Sequence, residues 1–96
     1  MKYKELTVGS KTYTDQKEIT KFLLKEGFAW LVDSTIENAV IELRKNTLIW
    51  HSGVFLEGYW YYGIFKDGQF YGNWQGGIFE AGTFDGNWID GINLLS

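Results

Sequence analysis

His51, flanked by Trp50 and Ser52, is the only histidine in the 96-residue chain and the first candidate for proton transfer. No carboxylate stands at catalytic spacing from it along the sequence, and a lone imidazole without an orienting acid makes no acid–base pair. Asp67, Asp85 and Asp90 are the next candidates, as metal ligands. Each precedes a glycine, the usual composition of a tight turn, and the alternating acids of a calcium loop are absent. Cysteine is absent too, which removes thiolate nucleophiles, disulfides and thiolate metal sites together. The glycines carry no Gly-Lys-Ser/Thr motif, so no phosphate cradle is expected. These residue types predict no catalysis, no metal and no cofactor.

What they offer is contact. Tyr59, Tyr61, Tyr62 and Tyr71 crowd a short stretch, with Leu56 just before it. Tyrosine is enriched in binding surfaces because it joins a large rigid ring to a polar tip. These five residues, with Asp85 set beside Tyr71 by the repeat described next, are the candidate partner-binding residues. The competing reading packs the tyrosines partly into the repeat itself.

The elements that would hold these side chains follow a regular pattern. Eight times the C-terminal half runs glycine, any residue, then Phe or Trp, from Gly53/Phe55 to Gly86/Trp88. The steps between the aromatics are 5, 5, 5, 4, 5, 5 and 4, so Trp60, Trp74 and Trp88 recur every 14 residues. A fixed self-similar period marks a repeat architecture. Residues i and i−2 of a strand share a face, so each glycine either leaves room beside the ring or lets the backbone turn. An odd step flips successive rings to opposite faces of a continuous strand, so turns must intervene. Asp67-Gly68, Asp85-Gly86 and Asp90-Gly91 are suitable turn pairs. The expected fold is α+β and mainly β, with a solenoid-like stack of 14-residue coils over residues 50–96. The alternative is an antiparallel meander with one hairpin per unit.

Residues 1–49 read as a cap on this repeat, within a single domain spanning 1–96. "KYKELTV" and "KTYT" flank Gly9-Ser10, which predicts a hairpin. Asp15 with Glu18 matches a capping box, and Ile19, Phe22 and Leu23 give the apolar stripe of a helix that Gly27 stops. Lys17, Lys21 and Lys25 on the same helix read as a solvated face. "FAWLVD" reads as a buried strand, and "AVIELRKNTLIW" as two short strands around Lys45-Asn46. In the repeat, Ile64, Ile78 and Ile92 form an outward apolar column at the 14-residue period. The helix is expected to cover it; left free, it would be a partner-binding patch or a dimer seam.

The array "YWYYGIFKDGQFYGNWQGGIFEAGTFDGNW" resembles the Trp/Phe-x-x-Gly repeats of uncharacterised accessory proteins of tailed bacteriophages. It is more distantly similar to MORN repeats, whose hairpins also interleave glycine with aromatics. The resemblance covers residues 50–93. MORN units are longer than 14 residues, so that family's lipid-binding and scaffold roles are not carried over. The phage resemblance implies an accessory protein rather than an enzyme, working in the host cytoplasm on a host protein. It transfers no functional residue.

Charge bears on the partner. Residues 1–49 carry eight Lys/Arg against seven Asp/Glu, and residues 50–96 carry one against five. An acidic half argues against direct nucleic-acid binding, which draws on cationic contacts. No segment approaches the roughly 20 apolar residues of a membrane span, and the N-terminus lacks an apolar signal region. The expectation is a cytoplasmic chain with no membrane partner and a non-enzymatic, protein-binding role, in the phage reading that of an inhibitor or anti-defence factor. The alternatives are an acidic inhibitor imitating nucleic acid, a carbohydrate-binding module using exposed tyrosines, and a self-assembling part. For the last, Leu94 and Leu95 beside an open repeat edge would make a homo-oligomer.

Overall fold

The computed structural model describes residues 1–95; Ser96, the last residue of the predicted repeat segment, lies outside them. Strands β1 (Tyr3–Val8) and β2 (Lys11–Tyr13) form the expected hairpin, with Gly9 at φ 63° in its turn. Helix α1 (Gln16–Lys25) begins at Asp15, whose Oδ1 accepts from the backbone N–H of Lys17 at 2.9 Å and of Glu18 at 3.1 Å. It ends in a Schellman turn. The Phe28 N–H donates to the Leu23 carbonyl at 2.8 Å and the Gly27 N–H to the Leu24 carbonyl at 3.3 Å, with Gly27 at φ 91°. Ile19 and Leu23 are buried, and Lys17, Lys21 and Lys25 are exposed, as the sequence predicts.

The segment expected as a buried strand is instead a helical turn, α2 (Ala29–Val32). The N–H groups of Val32 and Asp33 donate back to the carbonyls of Phe28 and Ala29 at 3.2 and 2.9 Å. A short, continuously apolar run does not discriminate between the two conformations. Burial does: Phe28 and Leu31 both enter the core, and residues three apart share a side in a helix but not in a strand.

Strands β3 (Thr35–Arg44) and β4 (Thr47–Glu57) are longer than the two short strands expected. They turn at Lys45-Asn46, with φ of 49° and 66°, the signature of a two-residue type I′ hairpin. β3 also pairs in parallel with β1, so both helices lie on the crossover between them.

From β4 onward the chain winds into coils with three walls each. β4 turns at Gly53 and supplies two walls of the first coil, and β5 (Tyr59–Trp60) supplies the third. The second coil is β6 (Ile64–Phe65), β7 (Gln69–Phe70) and β8 (Asn73–Trp74), and the third is β9 (Ile78–Phe79), β10 (Thr83–Phe84) and β11 (Asn87–Trp88). β12 (Ile92–Asn93) starts another turn. All pairings between coils are parallel, which makes the stack solenoid-like and not a meander. The first coil is one residue longer than the 14-residue period, since Ile49 aligns with Ile64 but Ile64 with Ile78.

Each coil turns three rings toward the axis: Trp50, Phe55 and Trp60, then Phe65, Phe70 and Trp74, then Phe79, Phe84 and Trp88. Within a wall they stack, with centroids 4.6–5.4 Å apart and planes 8–18° from parallel. Between walls they meet edge to face at 63–89°. Trp50 belongs to this array although the glycine pattern does not reach it, because Leu48 stands two residues before it. The cap closes one end of the stack. Ile41 pairs beside Trp50, Ile36 beside Phe55, and Trp30 of α2 lies 5.3 Å from Trp60 at 71°.

The helix does not cover the isoleucine column. α1 packs on β1 and α2 because the β1–β3 crossover holds it at the cap. Ile64 and Ile78 stay half-buried, and Ile92 is 56% exposed.

The corner glycines serve the backbone more than the rings. Gly68 has φ 122°, and a Cβ there would overlap the carbonyl oxygen of Gly53 in the coil before it. Gly27, also at positive φ, has open space around its Cβ position. Both Gly68→Ala and Gly27→Ala should incur backbone strain of about 1–3 kcal/mol. Gly68→Ala should cost clearly more, because a rigid backbone oxygen must also move. Urea denaturation of the two variants checks this, and equal losses would show that coil-to-coil approach does not limit the substitution.

Candidate functional site

The six candidate residues all reach the surface, in two groups. Tyr59, Tyr61, Tyr62 and Tyr71 are 39–47% exposed and Leu56 is 38% exposed. In each wall the residues on either side of the inward ring point out. Tyr59 and Tyr61 therefore flank buried Trp60 on one outer face, with ring centroids 6.1 Å apart and planes 26° from parallel. Tyr62, at the next corner, rests on the cap, 5.5 Å from both Phe28 and Trp30. Leu56, Tyr71 and Asp85 form the second group, a column on the neighbouring wall. The Tyr71 N–H bonds to the Phe55 carbonyl and the Asp85 N–H to the Phe70 carbonyl, which sets the three side by side on successive coils. The structure brings Asp85 beside Tyr71 as predicted, but the column makes no ring contact with Tyr59, Tyr61 or Tyr62.

Trp30 is the member that sequence reasoning missed. Read as part of a buried strand, it instead stands on α2 and touches Trp60, Tyr61 and Tyr62 at centroid distances of 5.3, 6.0 and 5.5 Å. Ser34 secures it from the C-terminal side, its Oγ donating to the Trp30 carbonyl at 2.7 Å. Between α2 and the first coil lies a cleft of about 200 Å³, lined by Trp30, Asp33, Ser34, Gly58, Tyr59 and Tyr61. The aromatic cluster is thus half cap and half repeat. A larger surface depression, of about 580 Å³, lies elsewhere, at the β3 bulge around Asn38, and includes none of the candidate residues.

His51 has an acid partner after all, one supplied by the hairpin and not by sequence spacing. Its Nε2 lies 2.8 Å from Glu42 Oε1, and Arg44 donates to the same carboxylate from Nε at 3.0 Å and Nη2 at 3.2 Å. The signal was the Lys45-Asn46 turn: its register sets Glu42 opposite Ile49, two residues from His51 on the same face. The hydrogen bond from His51 holds the Glu42 carboxyl below its ordinary 4.5, with burial opposing and Arg44 adding to the effect. Glu42 is the one side chain hydrogen-bonded to His51 among the described residues, and the three side chains form a cluster on the sheet face. Asp67 and Asp90 each accept from the N–H of the following glycine at 2.8 Å, the turn role expected of them. Among the described residues no three His, Asp or Glu side chains come together, and no helix is long and apolar enough to cross a membrane.

Comparison of the chain with protein-family models, curated protein sequences and solved structures gives no match. What the surface can do must therefore be argued from its own geometry.

The Glu42 cluster makes a pH-dependent contribution with a definite sign. A carboxyl whose folded pKa is depressed stabilises the fold above its unfolded value and loses that contribution as pH falls through the folded value. His51→Ala should bring the Glu42 titration back up toward 4.5 and shrink the acid-side loss of stability. Carbon-detected NMR titration of the Glu42 carboxyl checks this, and an unmoved midpoint would remove His51 as the main cause.

Proposed function

We propose that this chain is a non-enzymatic protein-binding module that engages its partner through the tyrosine-rich surface where the cap meets the first coil. The observation that carries this reading is the exposure of Tyr59, Tyr61 and Tyr62 as a cluster, set beside buried Trp60 and Phe28. Large aromatic rings held in fixed rotamers lose little entropy on binding, which is why they dominate interface energetics. Tyr71, with Leu56 and Asp85 on the adjoining wall, extends the surface along the stack. The local chemistry is acidic and aromatic, suiting a partner patch with cationic side chains. The resemblance of the glycine–aromatic array to phage accessory proteins supports placing the module in a host cytoplasm, as an inhibitor or anti-defence factor that occupies a host protein.

The test is capture by immobilised full chain, compared with Tyr59→Ala and Tyr61→Ala. Both side chains are nearly half exposed, and surface changes of this kind usually stay within about 0.5 kcal/mol. The expected result is loss of the captured protein with an unchanged Tm. Retained capture by both variants, or a collapse of Tm with each, would remove the tyrosines from the interface.

A further inference from the structure

We infer that the cleft between α2 and the first coil is a receptor for an alkylammonium group, with Trp30, Tyr59 and Tyr61 as its aromatic walls and Asp33 as its counter-charge. The inference rests on the reading of this surface as a binding face and names what that face recognises.

Geometry comes first. Tyr59 and Tyr61 lie side by side as a platform, their centroids 6.1 Å apart, and Trp30 stands at 74° to Tyr61 with a centroid distance of 6.0 Å. A cation seated in that corner would be bordered by three rings, and ring quadrupoles attract positive charge within about 6 Å of a ring centroid. The cleft of about 200 Å³ is lined by these three rings together with Asp33, Ser34 and Gly58. Gly58 lets the first coil approach Ser34 closely, since a Cβ there would meet Ser34 Cβ at 2.9 Å.

The polar inventory points the same way. The Trp30 indole N–H is buried although the residue is only half-buried, so what Trp30 shows to solvent excludes its one side-chain donor. The Ser34 hydroxyl is already donating to the Trp30 carbonyl. Asp33 is exposed and forms no ion pair among the described residues. Lys2 Nζ donates to the Val32 carbonyl and makes no ion pair with Asp33 among the described residues. The Asp33 charge acts on Lys2 at longer range and raises its pKa, against the larger lowering by burial. The cleft therefore offers three aromatic rings and a carboxylate, a combination that favours a cation over an anion. A compact ammonium, bare or methylated, suits the corner.

Aromatic ring resonances of the full chain are followed by NMR while four probes are added separately: choline, Nα-acetyl-lysine amide, its Nε-trimethyl derivative, and 3,3-dimethylbutan-1-ol, the neutral isostere of choline. Saturable shifts centred on Trp30, Tyr59 and Tyr61 are expected with the ammonium probes, at least about tenfold weaker with the neutral isostere. Tighter binding of the lysine derivatives than of choline assigns the group to a partner's side chain; the reverse order assigns it to a free quaternary ammonium. Asp33→Asn and Tyr61→Leu should each weaken the ammonium probes, and Asp33→Asn should leave the isostere unaffected. Tyr61→Leu keeps the test open if Asp33→Asn fails to fold. Equal affinity for choline and its isostere, absence of saturable shifts, or full binding by both variants overturns the proposal. Because the probes are small molecules, failure to capture a protein partner leaves this result standing, and a failed titration leaves capture standing.

Discussion

Strands paired in parallel lie about 4.7–4.9 Å apart, and that spacing dictates everything on the axis of this molecule. A column of side chains pointing inward from successive coils must repeat at the backbone's interval. Aromatic rings do so by offset stacking, and here the centroid separations of 4.6–5.4 Å follow the backbone spacing closely. Three columns then share one axis, and they fit only because each presents ring edges to the faces of the others. The coil length follows from this. Two residues per wall and a few at each corner enclose three rings, and an aliphatic core would not fill the same section with so few residues.

The corners obey the same interval. Once coils approach at backbone hydrogen-bond distance, the corner residue of one coil lies over the carbonyl of the coil before it. At Gly77 the position a Cβ would take is 3.2 Å from the Trp60 indole nitrogen, besides overlapping the Gly63 carbonyl oxygen. The missing side chain therefore admits both the neighbouring backbone and the indole edge. One cost remains: the Nε1 atoms of Trp50, Trp60 and Trp74 are buried without a hydrogen-bond partner, each at about 1–3 kcal/mol by the usual scale for an unsatisfied donor. The outward positions carry none of these constraints, which is why Tyr59, Asn73 and Asn87 can succeed one another in a single column.

The inward half of the repeat was legible in the sequence because that constraint writes itself as glycine two residues before each ring. Trp50 escaped because the wall that carries it belongs to a long hairpin strand, where Leu48 does not sit at a tight corner. The cap was legible where a local signal existed: the Gly9 turn, the Asp15 cap, the Gly27 stop and the Lys45-Asn46 turn. It was illegible over residues 28–33, where an apolar run fits either a strand or a helical turn and only the packing of Phe28 and Leu31 decides. The candidate surface inherits that gap. The tyrosines were visible as residues between the inward rings, but Trp30 could join them only once α2 was known to be a helix. The pairing of His51 with Glu42 was hidden for a related reason: it depends on hairpin register and not on spacing along the chain.

The two ends of the stack differ, and the difference bears on how the molecule meets other chains. At the cap end each inward column is closed by a side chain from β3 or α2; β4 is paired to β3, and β5 is an edge strand that lies beside α2. At the other end the carbonyls of Gly82, Phe84, Gly86 and Trp88 have no further coil to receive from among the described residues, whereas the equivalent carbonyls one coil earlier each accept an N–H at 2.8–2.9 Å. Open edges of this kind invite pairing, and Ile89, Ile92, Leu94 and Leu95 surround this one with exposed apolar surface. Its shape limits what can pair. A two-residue strand followed by a corner offers three short ladders at angles to one another, so a single extended segment can satisfy only one of them. Asp85 and Asp90 are also exposed at this end. Along the outer walls Tyr59, Tyr61, Tyr62 and Tyr71 are the large exposed rings among the described residues.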